Sequence, residues 1–260
     1  LDCFGFLAML AAHLSRLSED LSYWSGTEQG YVEVADRYAS GSSILMQMKT
    51  PTSTNRVKGM VSGVVGGMVS AYMAGKTATG MHTLDRAYGD APLDAAFDDA
   101  IGSLRLLTPT LQSLIVHADV AHQRAAGHFA GATDLAGALV AEKGLPWRTA
   151  HQICGILFRH CAERGLTPAD LTPALLDEAA IEYFGRPVGL SAASIRQALD
   201  PLHFVEARTL TGGPAPSAME RQCAALGEAL AADQRWLAER RQALAAAAAA
   251  LEEAIDAILA

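Results

Sequence analysis

Positive charge is scarce in these 260 residues: 20 Lys and Arg stand against 28 Asp and Glu, giving a formal net charge of −8 and a sequence pI near 5.4. Nucleic-acid binding rests on clustered cations, and no basic stripe is present, so a nucleic-acid partner is excluded while a small anion in a local basic pocket is not. Cysteine is equally thin. Cys3, Cys154, Cys161 and Cys223 form no CxxC and no Cys/His set at zinc spacing, which argues against a disulfide framework and against a metal site and leaves reduced thiols in a cytoplasmic protein as the expectation. No basic start leads into a short apolar run with a small-residue cleavage site, so no secretory signal is read. No period of two is sustained, no hairpin dipeptides sit at strand spacing, and no internal repeat recurs, which removes β and solenoid architectures. The longest uncharged run, 59–75 between Lys58 and Lys76, falls short of the roughly eighteen residues of a membrane span and is rich in Gly and Ser. No membrane segment is expected from it.

Apolar residues, by contrast, are half of the chain, and the mean hydropathy is +0.16. A disordered solvating chain is thereby excluded, and a large buried core is affordable in one or two domains. Leu7, Leu10, Leu14, Leu17, Leu21 and Trp24 recur at three- and four-residue steps, which predicts a helix over about 2–25 stopped by Gly26. That pattern is under way at Leu1-Asp2-Cys3-Phe4, so the chain reads as beginning inside an element. Residues 26–52 lose the period and read as a long ordered loop, a length that in compact chains is usually functional. A second helix begins at Ser53 or Thr54 and runs through the uncharged stretch; with Gly59, Gly63, Gly66 and Gly67 it is expected to lie at the centre of a multi-helix bundle. After a polar connection near 76–91, helices are expected over about 93–107 and 110–126, divided by Pro109.

Past Gly127 the helices shorten. Thr133-Asp134 starts one that Gly144 stops, Pro146 opens another that ends at Gly165, and Thr172-Pro173 opens a third that fades near Gly185. A Gly/Pro loop follows at 208–216, and Ser217 with Glu220 reads as a capping box for a last helix. In that helix Cys223, Leu230, Leu237, Leu244, Leu251 and Ile258 lie seven apart, a narrow seam suited to a neighbouring helix or subunit, or to packing within the chain. The fold class is therefore all-α: a central long-helix bundle segment over 1–127, a smaller helical domain over 128–216 and a long terminal helix over 217–260.

One segment carries chemistry. The run Tyr38-Ala39-Ser40-Gly41-Ser42-Ser43-Ile44-Leu45-Met46-Gln47-Met48-Lys49-Thr50-Pro51 presents hydroxyls on a Gly-Ser-Ser turn just ahead of a helix N-terminus, whose amides and dipole favour an anion. By itself such a loop is also what a solvated connection looks like.

The run GSSILMQMKTP resembles the signature loop of the fumarase/aspartase superfamily, close to GSSxMPxKxNP. Within that superfamily, LDCFGFLAMLAAHLSRLSEDLSYWS, ATDLAGALVAEKGLPWRTAHQICG and LDPLHFVEARTLTGGPAP are similar, in the same order, to stretches of the argininosuccinate lyases; with the loop (38–55) they cover most of 1–216. The resemblance implies a cytoplasmic homotetramer whose central helices form a large bundle and whose active sites are each built from three subunits. It implies a carbon–nitrogen lyase that breaks the bond next to a carboxylate by anti β-elimination, releasing fumarate, with no metal and no organic cofactor because the substrate carboxylate is its own electron sink. Ser42 would be the general base, made anionic by backbone amides, the helix dipole and exclusion of water. Ser43 and Gln47 would help bind the substrate carboxylate.

Against the family pattern, Met-Pro becomes Leu45-Met46, a lysine becomes Met48 and an asparagine becomes Thr50. That lysine and asparagine would stabilise the doubly charged intermediate, so their loss removes electrostatic help. Lys49 and Arg56 are the candidate replacement cations, with Thr50 beside them. The stretch 80–90 does not reproduce the residues that hold the arginine-like end of argininosuccinate. The resemblance therefore implies an N-substituted aspartate, argininosuccinate-like or an aminopolycarboxylic acid. The family's general acid lies upstream of Leu1 in the pattern, and none of the eight His is assigned to it. The rival classes are a catalytically weak or silent member kept as a structural, partner-binding helical protein, and an interaction domain built on the heptad seam.

Overall fold

The computed structural model describes residues 1–76, 87–88 and 90–259. The structure is all-α: among the described residues ten helices account for nearly all regular structure, beside four two-residue strands and two turns of 3₁₀ helix. The chain separates into two compact units, Leu1–Gln123 and Arg124–Ala260.

In the first unit three long helices pack together: α1 (Asp2–Trp24), α2 (Thr52–Gly75) and α3 (Asp90–Gln112). Their buried faces repeat at helical spacing, with Phe4, Leu7, Ala11, Leu14 and Leu21 on α1, Val57, Val61 and Val64 on α2, and Ala96, Ala100 and Leu107 on α3. Each large member so buried contributes about 1.5–3 kcal/mol relative to exposure. A salt bridge from Lys58 Nζ to Glu19 Oε2 at 2.6 Å ties α2 to α1 at the surface. Small residues on α2 permit close approach where it matters: a Cβ at Gly67 would lie 3.0 Å from the Phe4 ring and 3.3 Å from the Pro92 carbonyl.

Three expectations for this unit need correction. Within the chain α2 is not buried all round, since Val65, Val69, Tyr72 and Met73 are exposed. By length and composition alone α2 passes for a membrane-crossing helix, a test that the core helix of a soluble protein passes equally. Pro109, moreover, does not divide two helices; it lies inside α3. A proline three residues from a helix end removes only one late backbone bond, and the nearby hydroxyls make local bonds, Thr110 Oγ1 to the Leu106 carbonyl and Ser113 Oγ to the Pro109 carbonyl, each at 2.8 Å.

The connection from α1 to α2 is more ordered than a plain loop. β1 (Val32–Glu33) pairs antiparallel with β4 (Ile115–Val116), and β2 (Ser40–Gly41) with β3 (Lys49–Thr50). Val32 and Val34 are buried beneath it. Helix α4 (Ala118–Ala126) follows β4, so the helix expected over 110–126 is interrupted by a strand.

The second unit holds α5 (Ala132–Lys143), α6 (Trp147–Arg164), α7 (Pro173–Phe184), α8 (Ala192–Leu199) and α9 (Pro201–Glu206). Its core is closed by Leu135, Leu139, Ile153, Leu157, Leu176, Leu190 and Ile195, none more than 2% exposed. Gly144, Gly165 and Gly185 end α5, α6 and α7 in the left-handed conformation, with φ of 65°, 66° and 79°. That backbone strains any residue with a Cβ, which is why glycine stands at all three. The Thr172, Ser191 and Asp200 side chains accept the first-turn amides of Leu175, Ser194 and Leu202. Asp134 is not a cap; α5 begins at Ala132, and the Asp134 carboxylate receives both guanidinium nitrogens of Arg208 at 2.5 and 2.6 Å. The guanidinium also stacks on the Phe204 ring, 3.5 Å from its centroid.

Helix α10 runs from Pro216 to Leu259. It starts one residue before the expected cap: the Ala215 carbonyl takes the amides of Ala218 and Met219 at 2.9 Å, so Ser217 lies in the first turn.

Candidate active site

The signature segment is a hairpin whose neck is the β2–β3 pair, Ser40 opposite Thr50 and Gly41 opposite Lys49. The neck is fastened to the start of α2 by a hydrogen bond between the Ser40 and Thr52 hydroxyls. One turn on, Thr54 Oγ1 donates to the Pro51 carbonyl at 2.8 Å and lies 2.7 Å from the Ser22 hydroxyl of α1. The strand–helix junction is thus held by hydroxyls that the sequence supplies as Thr-Ser-Thr directly after Pro51.

Residues 42–48 form the tip, closed by a turn in which the Met48 amide donates to the Leu45 carbonyl at 3.0 Å. At its base the Ser42 Oγ accepts two backbone hydrogen bonds, from the Ile44 amide at 3.1 Å and the Leu45 amide at 3.0 Å. Such local side-chain-to-backbone bonds fix the turn and set the Ser42 oxygen against two N–H donors. The rest of the tip is open to solvent: Ser43 and Gln47 are exposed, and Met46 is 97% exposed.

Lys49 points the other way. Its ammonium lies 2.6 Å from Glu33 Oε1 and 2.6 Å from Asp36 Oδ1. The hydrogen bond and charge of Lys49 hold the Asp36 carboxyl below the usual carboxylate range, and the Asp36 and Glu33 bonds raise the Lys49 ammonium in turn. His117 Nε2 stands 3.8 Å from the second oxygen of Glu33. Of the two cations expected to replace the missing lysine, Lys49 is therefore bound by two carboxylates.

Gln47 and Lys49 are brought together on the wall of one cleft, with Ser25, Thr27, Glu33, Val34, Ala39 and Pro51. Ser42 and Ser43 stand at the tip outside it. Thr50 is fixed in β3, and Arg56 is exposed on the second turn of α2, without an ion pair among the described residues. The stretch 80–90, expected to read the amine end of a substrate, falls mostly outside the described residues. Glu33 and Asp36 are the neighbours of Lys49 that the pattern of residues did not reveal. Their only signal was two acids in an aperiodic loop shortly before a lysine.

Comparison with known proteins places these elements. Residues 1–66 match the family described as Lyase, and residues 129–206 match the family described as Argininosuccinate lyase C-terminal. An argininosuccinate lyase of Methanothermobacter thermautotrophicus is 37% identical over 210 residues, which is 81% of this chain and 45% of that protein. One from Symbiobacterium thermophilum is 36% identical over 223 residues, 86% of this chain and 46% of that protein. An EDDS lyase solved in complex with formate superposes with a TM-score of 0.81 at 28% identity, covering 93% of this chain and 48% of the other. The chain spans about half the length of the curated relatives it matches.

Proposed function

Since this chain belongs to the fumarase/aspartase superfamily, we propose that it supplies the base-bearing loop of a carbon–nitrogen lyase. The reaction is the reversible anti β-elimination of an amine from an N-substituted aspartate, argininosuccinate-like or an aminopolycarboxylic acid, releasing fumarate. Ser42 takes the proton from the carbon next to a carboxylate. The electron pair is delocalised into that carboxylate and then expels the nitrogen on the neighbouring carbon as the amine, which must receive a proton from a general acid. Ser43, Gln47, Lys49, Thr50 and Arg56 are the residues assigned to the substrate carboxylates.

The single observation that carries this reading is the pair of amides on Ser42 Oγ. They offer the alkoxide a local, preorganised environment that costs no rearrangement when charge develops. Open apolar faces such as Val65, Val69, Tyr72 and Met73 on α2 support packing against a further subunit; the homotetramer with shared active sites and the cytoplasmic setting come from the family resemblance.

A second reading is favoured by Lys49. With Met48 neutral and Lys49 held by Glu33 and Asp36, the signature run 41–51 offers no unpaired cation and leaves only Arg56 on α2 to meet a doubly charged intermediate, as a weak or silent structural member would.

The test is fumarate absorbance on the complete gene product, offered argininosuccinate and then other N-substituted aspartates, and in reverse fumarate with a panel of amines. Turnover that disappears in Ser42→Ala supports the lyase. Silence across the panel from a folded tetramer supports the second reading.

A further inference from the structure

The Lys49 ammonium is already engaged, with Glu33 Oε1 and Asp36 Oδ1 each at 2.6 Å. The groups come from separate parts of the connection: Glu33 from β1, Asp36 from the 3₁₀ turn Asp36–Tyr38, and Lys49 from β3 at the hairpin neck. One cation between two anions leaves the cluster net negative, so an incoming carboxylate meets repulsion at the residue assigned to bind it. Glu33 is steadied from its other side, where His117 Nε2 stands 3.8 Å from Oε2.

This hold is close in geometry but weak in energy. The Asp36 side chain is 95% exposed, and those of Glu33 and Lys49 are open to water as well; such pairs are worth little and exchange readily for another partner. Lys49 also shares the wall of a cleft of about 140 Å³ with Gln47 and Thr27, whose amide and hydroxyl can donate to an anion. Glu33 lines the same cleft, so the acid that occupies the cation also sets its own charge where an anion would lie. No other cation stands in 41–51 to bypass it.

Resting on the assignment of Lys49 to a substrate carboxylate, we propose that Glu33 and Asp36 form an autoinhibitory latch: they occupy Lys49 in the free protein, and a dicarboxylate must displace them to enter the cleft beside Gln47. A ligand shifts such an equilibrium only by its difference in affinity for the two arrangements, and its apparent affinity falls with the fraction of molecules already open. Glu33 and Asp36 thus act on the ligand through Lys49, as positioning residues, and set how much dicarboxylate the site needs.

The test is calorimetric titration of the complete gene product with fumarate, in the absence of any amine. Glu33→Gln with Asp36→Asn should bind fumarate about tenfold more tightly than the parent, the gain expected when a latch closed in about nine molecules of ten is removed. Asp36→Asn alone, a change at an exposed side chain, should give part of that gain and serves where the double variant does not fold. With Lys49→Met added, the gain should vanish. Equal affinity in parent and variants, or binding by none of them, would overturn the latch. A gain that survives Lys49→Met would also overturn it, since removing two negative charges then acts only through the general field. Fumarate release is measured separately on the same chains. Tighter, Lys49-dependent binding without turnover in any chain removes the lyase reading and keeps the latch, whereas turnover with no change in binding removes the latch and keeps the lyase.

Discussion

Between Gly131 and Leu199 α5, α6 and α7 stop at left-handed glycines, α7 and α8 start at the hydroxyl caps Thr172 and Ser191, and the helices enclose Leu135, Leu139, Ile153 and Leu157 almost completely. In the hairpin tip at 42–48, no side chain is buried, and Ile44, Leu45, Met46 and Met48 are all exposed. Both segments belong to one superfamily pattern, yet one is finished by its own residues and the other is anchored only at its neck. The small helical domain spends its sequence on closing a core. The loop spends its sequence on holding one oxygen between two amides and leaves the rest open to solvent.

The largest expected effects separate these two regions by stability. Leu139→Ala, which opens a cavity at a fully buried position, should cost about 2–5 kcal/mol in denaturant unfolding. Met46→Ala should change stability by no more than about 0.5 kcal/mol. Equal losses at the two positions would erase the distinction. Next comes Asp134→Ala, which leaves Arg208 stacked on Phe204 without its carboxylate. The pair is partly exposed, so a loss of about 1–2 kcal/mol is expected in the same measurement.

Met48→Lys sharpens the comparison from the side of chemistry. If the loop is short of a free cation, the substitution should raise the rate of fumarate release by about tenfold at unchanged stability. An unchanged rate would mean that the cation comes from elsewhere.

The smallest effect is a titration. Lys49 holds the Asp36 carboxyl below its usual value, so the tie to Lys49 is complete above about pH 4 and is lost only as pH falls through the depressed value. A carboxyl-carbon NMR titration of Asp36 should therefore have its midpoint below that of the Lys49→Met variant. Coincident midpoints would remove the tie.

Much of the frame was legible in the residues because it rests on local rules. The leucine spacing of α1 and the stops at Gly144, Gly165 and Gly185 are each set by one helix face or one backbone conformation. Pro109 misled because its cost depends on where in the helix it stands, and near the end of α3 it is tolerated. The short helices α8 and α9 were missed although Ser191 and Asp200-Pro201 mark their starts, since neither is long enough to declare a period. The β1–β4 pair joins Val32 to Val116, a distance in sequence that no local signal spans. At the site, the hairpin was readable as a motif, with Ser42 at its turn. What Lys49 binds was not, because Glu33 and Asp36 reach it only through the folded connection.

The most direct measurement takes fumarate release and thermal unfolding together on the complete gene product, in Ser42→Ala and in Asp134→Ala. Chemistry on the loop and stability in the small domain predict that Ser42→Ala loses turnover by about 10²–10⁴-fold with an unchanged unfolding midpoint. Asp134→Ala should unfold at a lower temperature while keeping its turnover below that midpoint. An active Ser42→Ala variant beside an inactive but fully folded Asp134→Ala variant would contradict the account.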